Sequence, residues 1–134
     1  MANEHILLIE DNDKNRKLAR DILQHHGYRV SEAVTAEDGL ALAAAEPPDL
    51  VLMDIQLPGM NGIQALRRLR ESAATRAIPV VAFTASVMPS DRHEIMSAGF
   101  DAFLSKPIAI KELTETVAQQ IAKGLERKPG PQAK

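Results

Sequence analysis

The sequence predicts an α/β fold, a doubly wound (βα)5 sandwich around a five-stranded parallel sheet. Short apolar runs of strand length, "ILLI", "LVLM" and "VVAF", alternate with longer stretches of helical periodicity. These runs are apolar on both faces, as parallel strands must be when helices cover the sheet from both sides. Strand, helix and parallel strand in strict alternation imply right-handed crossovers, which wind the chain over both faces.

The elements follow in order. Ile6 to Ile9 form the first strand and lead into the acidic cluster "EDND". Leu18, Ile22 and Leu23 recur at helical spacing as the inward face of the first helix, which Gly27 stops. "YRVSEAV" half alternates, as an edge strand does. Thr35 and Asp38 resemble a capping box opening the Ala-rich helix "AEDGLALAAAE", which Pro47 and Pro48 end. "LVLMD" is the third strand, and Asn61 caps a helix whose inward face is Ile63, Leu66 and Leu69. After a fourth strand in "IPVVAFTA", a short helix runs from about Ser90 to Ser97 and closes at Gly99. "AFLSKP" is the last strand, and Ile110, Leu113, Val117 and Ile121 line the final helix. The domain is expected over residues 1–123, with a polar, disordered tail over 124–134 in which apolar periodicity is lost.

Composition narrows the function. The 134 residues, 45% hydrophobic and 25% charged, suit one globular domain with a real core. Sixteen basic against 18 acidic residues leave a net charge of -2, mixed along the chain, so no nucleic-acid partner is expected. The absence of cysteine excludes disulfides and thiolate metal sites. "MANEHILLIEDN" meets charge after four apolar residues, too soon for a signal peptide or a membrane span, and a cytoplasmic protein without membrane insertion is expected.

One feature resists a purely structural reading: the apolar run "LVLMDIQLPGMNG" ends on a lone carboxylate, Asp54, before a turn rich in Pro and Gly. Asp54 is either a turn former or cap, or a group presented at the carboxyl edge of the sheet, where open α/β folds place their chemistry. The other strand ends decide between them. The first ends in Glu10 and Asp11, the fourth in Thr84 and Ala85, the fifth in Ser105, Lys106 and Pro107. With the first, third, fourth and fifth as central strands, these groups converge on one shallow site. Three carboxylates against one ammonium leave a charge that Mg²⁺ would balance through oxygen ligands. That chemistry is phosphoryl transfer, with Asp54 as nucleophile, Lys106 and the metal screening phosphoryl oxygens, and the Thr84 hydroxyl donating a hydrogen bond. Pro58 and Gly62 shape the loop that turns away and leaves the carboxylate open.

"LLIEDN", "LVLMDIQLPGMNG", "VVAFTA" and "FLSKPI" stand in the order and spacing of the response-regulator receiver domain, and the chain resembles that family from about Glu4 to Lys123. The resemblance implies a flavodoxin-like, CheY-like fold and a phosphorylation switch of a two-component system or phosphorelay. Asp54 matches the phospho-acceptor; Glu10 and Asp11 match the metal-binding pair, with the backbone carbonyl of Gln56 as a further Mg²⁺ ligand. Thr84 matches the switch hydroxyl, Phe103 the aromatic switch position, Lys106 the motif lysine, and Lys106-Pro107 the cis peptide. The implied donors are a histidine kinase or a histidine phosphotransfer protein. The implied output is a downstream protein that reads the face of the fourth helix, fifth strand and fifth helix, with the chain a monomer or weak dimer. The receiver catalyses only its own phosphorylation and its slow autodephosphorylation. Gln56 and Ser86 flank the path of the hydrolytic water, and neither is an obvious base.

"EDNDKN" and "SKPI" resemble the single-domain, DivK-type cell-cycle regulators of the family, although a receiver cut from a hybrid kinase would look much the same. Met1 and the short polar tail favour the stand-alone form. A haloacid-dehalogenase-type, Mg²⁺-dependent phosphohydrolase is the rival from another class; it would want a second Asp at position 56, which holds Gln. The remaining candidates read as structure. His5, His25, His26 and His93 show no metal-binding pairing, Met53, Met60, Met88 and Met96 read as filler, and Arg67, Arg68 and Arg70 read as a solvated helix face.

Overall fold

Strands β1 (His5–Ile9), β3 (Leu50–Asp54) and β4 (Val80–Thr84) are buried at every residue, as central parallel strands covered on both faces must be. β2 (Arg29–Ala33) and β5 (Ala102–Ser105) are only partly buried and close the two edges of the sheet. The order is β2-β1-β3-β4-β5 with every pair parallel, in a computed structural model that describes residues 4–84 and 89–127. This is the doubly wound (βα)5 fold the sequence predicts. β5 is an edge strand rather than a central one, but it pairs with β4 through Thr84 and Ser105, so its carboxyl end still borders the neighbouring strand ends.

The pleat sorts the strand side chains into two cores. Ile6, Leu8, Leu52 and Phe83 meet helices α1 (Asp13–His25) and α5 (Ile110–Arg127). Ile9, Met53 and Ala82 meet α2 (Ala36–Ala45), α3 (Gly62–Glu71) and α4 (Pro89–Ala98) on the other face. Side-chain oxygens start three of these helices: Asn12 accepts from Asn15 N–H, Thr35 from Asp38 N–H, and Asn61 with Gln64 forms a complete capping box. Each cap contributes about 1 kcal/mol by satisfying an otherwise orphaned amide. Gly99, at φ 111, takes the left-handed turn that ends α4.

Three expectations change. In α1 the buried residues are Ala19, Ile22 and Leu23, and Leu18 is 46% exposed, because Ala19, one position and about 100° round the helix, takes the inward place. Ile110 is 58% exposed at the first position of α5, and the apolar face begins at Leu113. α5 runs on to Arg127, past the expected domain end at Lys123, and Gly124 is buried so closely against Pro79 that an added Cβ would lie 2.9 Å from its ring. Residues 128–134 of the expected tail, with Ala85, Ser86 and Met88, lie outside the described residues.

Candidate functional site

The carboxyl ends of β1, β3 and β5 bring three of the predicted groups into contact. Glu10 follows β1 and Asp54 ends β3, and both are almost fully buried while Asp11 is exposed. One carboxylate oxygen from each of Glu10, Asp11 and Asp54 lies within 4.8 Å of the others. Lys106 reaches in from the residue after β5, its Nζ 3.0 Å from Asp54 Oδ2 and 3.0 Å from Glu10 Oε1. The bond to Asp54 is a hydrogen bond; the approach to Glu10 Oε1 is an ion pair off hydrogen-bond geometry. The same ammonium lies 5.1 Å from the centre of the Phe83 ring, close enough for a cation–π contact.

Backbone amides orient the carboxylates. Asn12 N–H donates to Glu10 Oε2 at 3.0 Å, and Gln56 N–H donates to Asp54 Oδ1 at 3.0 Å. The loop after Asp54 folds back tightly because Gly62 N–H donates to Ile55 O, and a Cβ on Gly62 would sit 2.7 Å from the Asp54 carbonyl. Only glycine lets α3 start this close to the strand end. The predicted role of Gly62 in turning the chain thus has a steric cause.

Burial and pairing pull on Glu10 and Lys106 in opposing senses. Burial pushes the Glu10 carboxyl above its ordinary pKa, helped by nearby Asp54 and opposed by Asn12 N–H and Lys106. Burial pulls on Lys106 in the opposite sense, but its two carboxylate partners outweigh that and leave its pKa raised. One ammonium therefore serves two buried carboxylates. Glu10 Oε1 has that shared ammonium at 3.0 Å and accepts no hydrogen bond among the described residues, so the buried carboxylates are short of positive charge. Three hard oxygen donors within 4.8 Å of one another fit a divalent ion of the Mg²⁺ kind, and the acidic cluster can hold one.

Thr84 stands on β4, the strand next to β3 and its Asp54, and Phe103 on β5 beyond it. Thr84 is buried at the end of β4, one residue past Phe83, which pairs with Asp54 in the sheet, and its carbonyl accepts from Lys106 N–H. Phe103 is partly buried against the core under α2, α3 and α4, and the pleat puts Thr84 on that same face. The Lys106-Pro107 peptide is cis.

Sequence reasoning missed two arginines. Arg70 is not part of a solvated face: it donates to Ile78 O at 2.7 Å and to Asp101 Oδ2 at 2.9 Å, tying α3 to the starts of β4 and β5. Arg67 and Arg68 are exposed as expected and, with Met60, Gln64 and Glu71, line an open cleft that shares no residue with the acidic site. Arg16, one turn into α1, donates to the Glu10 carbonyl at 3.1 Å. Its place four residues after the Asn12 cap is the only sequence signal for it. His5 is buried against Ser31 Oγ at 2.7 Å. It stands at the amino end of β1, the opposite end of the strand from Glu10.

Comparison with known proteins decides the family. The response regulator receiver domain profile matches residues 6–118. The chain belongs to that family. The polar-differentiation response regulators DivK of Brucella ovis and Brucella melitensis are 38% identical to it over 112 residues, 84% of this chain and 91% of theirs. Among solved structures, the receiver domain of a Pseudomonas aeruginosa sensor histidine kinase superposes with a TM-score of 0.84 at 32% identity, covering 90% of this chain and 98% of that one. That receiver holds a magnesium ion in its active-site cleft. A CheY-like receiver from Methanospirillum hungatei gives a TM-score of 0.85 at 26% identity over 94% of this chain and 99% of its own. This receiver is thus a two-component signalling domain, as the four motifs implied, and its fold is CheY-like. No helix among the described residues is long and apolar enough to cross a membrane.

Proposed function

We propose that Asp54 accepts a phosphoryl group from a phosphohistidine on a histidine kinase or histidine phosphotransfer protein, and that the acyl phosphate switches binding to a downstream protein. One observation carries this reading: Asp54 shares a 4.8 Å cluster with Glu10 and Asp11 while the Lys106 ammonium stands 3.0 Å from its Oδ2. A carboxylate oxygen of Asp54 attacks phosphorus, the phosphorus–nitrogen bond breaks with its electron pair going to the imidazole, and the imidazole takes a proton from solvent. Lys106 is poised to meet the phosphoryl oxygens. Glu10, Asp11, Asp54 and the Gln56 carbonyl would hold Mg²⁺, which when bound neutralises charge on the phosphoryl oxygens. The chain acts on no other substrate, and loss of the phosphoryl group is slow because Gln56 offers no base to a water.

The Thr84 hydroxyl moves to the phosphoryl group and Phe103 turns into the space it leaves, which reshapes the face of α4, β5 and α5. Their shared sheet face supports this coupling. The site of action is the cytoplasm. Similarity to DivK over most of both chains supports a stand-alone regulator, with polar differentiation the process suggested by those relatives' names. The Pseudomonas aeruginosa neighbour favours a second reading, a receiver module of a sensor kinase.

Intact mass after incubation with Mg²⁺ and acetyl phosphate tests the switch. A gain of one phosphoryl group in the wild type, absent in Asp54→Ala and in chelator, is the expected result. No gain in the wild type under any donor would leave a phosphorylation-independent binding module.

A further inference from the structure

We infer that Arg16 is a positioning residue for the acidic pair: it holds the peptide between Glu10 and Asp11 in the orientation that presents both carboxylates to a divalent cation. The inference rests on the proposed Mg²⁺ site. The guanidinium lies under the loop between β1 and α1, its side chain 13% exposed. Nη1 donates to the Glu10 carbonyl at 3.1 Å, Nη2 to Asp13 Oδ1 at 2.6 Å, and Nε to Glu32 Oε1 on β2 at 3.3 Å. Glu10 is therefore fixed three ways: its N–H to Ala33 O at 3.0 Å, its Oε2 by Asn12 N–H, and its carbonyl by Arg16. The Glu10 carbonyl belongs to the same planar unit as the Asp11 N–H, so the bond from Arg16 sets the plane from which the Asp11 side chain departs. Asp11 itself is exposed and needs such support from its backbone. A guanidinium suits the task because its fork serves Asp13, Glu32 and the carbonyl at once, and the two carboxylates offset its charge beside a cation site.

The sign of the effect separates positioning from charge. Removing a cation near a dication site tightens metal binding by relieving repulsion, whereas loss of a positioning contact weakens it. Arg20 is the control: it also pairs with Glu32, at 3.4 Å, but makes no bond to the Glu10 carbonyl. The experiment is calorimetric titration of Mg²⁺ into wild type, Arg16→Met, Arg16→Lys and Arg20→Met, with amide hydrogen exchange of the metal-free proteins alongside. Arg16→Met is expected to raise the Mg²⁺ Kd roughly tenfold, within the range typical when the support of a metal ligand is lost. Arg16→Lys recovers part of that loss, and Arg20→Met stays within about twofold of wild type. Without metal, exchange at Asn12 N–H rises in Arg16→Met and not in Arg20→Met. An unchanged or tighter Kd in Arg16→Met, or an equal loss in both Met variants, overturns the inference. A wild type that binds no Mg²⁺ overturns the metal site itself and the inference with it.

Discussion

The two ends of the sheet treat their acids in opposite ways. At the amino end, Asp49 Oδ2 accepts the His5 amide at 2.8 Å while its own N–H donates to His5 O, and Asp101 Oδ2 accepts both Val80 N–H at 2.8 Å and Arg70 at 2.9 Å. Each of these carboxylates joins two chain segments through donors of its own. At the carboxyl end, Glu10 and Asp54 face each other across one shared ammonium, with Asp11 close by. Acids saturated by amides hold strands in place. The acids at the carboxyl end also accept an amide each, from Asn12 and Gln56, and differ in that two buried carboxylates share a single ammonium.

Exchanging functions between the ends is the direct way to break this comparison. The largest effect is expected from Asp54→Ala, which removes phosphoryl incorporation altogether while leaving a folded protein; intact mass and circular dichroism read the two properties separately. Asp101→Ala should do the reverse. It leaves the Val80 amide without its acceptor and takes one acceptor from Arg70, whose bond to Ile78 O remains, costs about 2 kcal/mol in urea unfolding, and keeps phosphorylation.

Mg²⁺ sharpens the contrast. At a hundred times its Kd it should add about 2.7 kcal/mol to wild-type stability, an increment that chelator removes and that Asp11→Asn largely abolishes in thermal melts. Without metal, Asp11→Asn should melt close to wild type, because Asp11 is exposed.

The smallest effects are expected with pH. Glu10 has its pKa raised by burial, so the folded state takes up this proton before the unfolded state does. Its contribution turns stabilising as pH falls through that raised value, and Mg²⁺ affinity drops in the same window. Subtracting Glu10→Gln stabilities from wild type between about pH 7 and 4 isolates it. Lys106 has the opposite signature: its raised pKa gives a contribution complete below the ordinary lysine value and lost as pH rises through the folded one.

Much of the site was legible because its main groups end strands. An apolar run that stops on Asp54 or Glu10 betrays the edge it serves, and parallel strands share a direction, so the convergence with Lys106 follows from topology. Thr84 was legible as the hydroxyl ending the fourth strand and Phe103 only through the family motif, and their common sheet face is a register property that composition does not show. Arg70 escaped notice because Asp101 is distant in the chain, and Arg16 because a bond to a backbone carbonyl and a reach to Glu32 on β2 are contacts that helical periodicity does not encode. Leu18 and Ile110 went the other way. Apolar residues near a helical stripe were counted with it, while the small Ala19 took the inward position that Leu18 was expected to fill.

Both margins of the sheet discourage a sixth strand, by different means. β2 carries Arg29 and Glu32 along its rim, and β5 has four residues before Pro107, which brings no N–H, comes within two positions. Long, flat, uncharged rims are where sheets recruit further chains. Lacking one, this domain presents little sheet for another copy to pair with, so association of copies through their sheet edges is disfavoured.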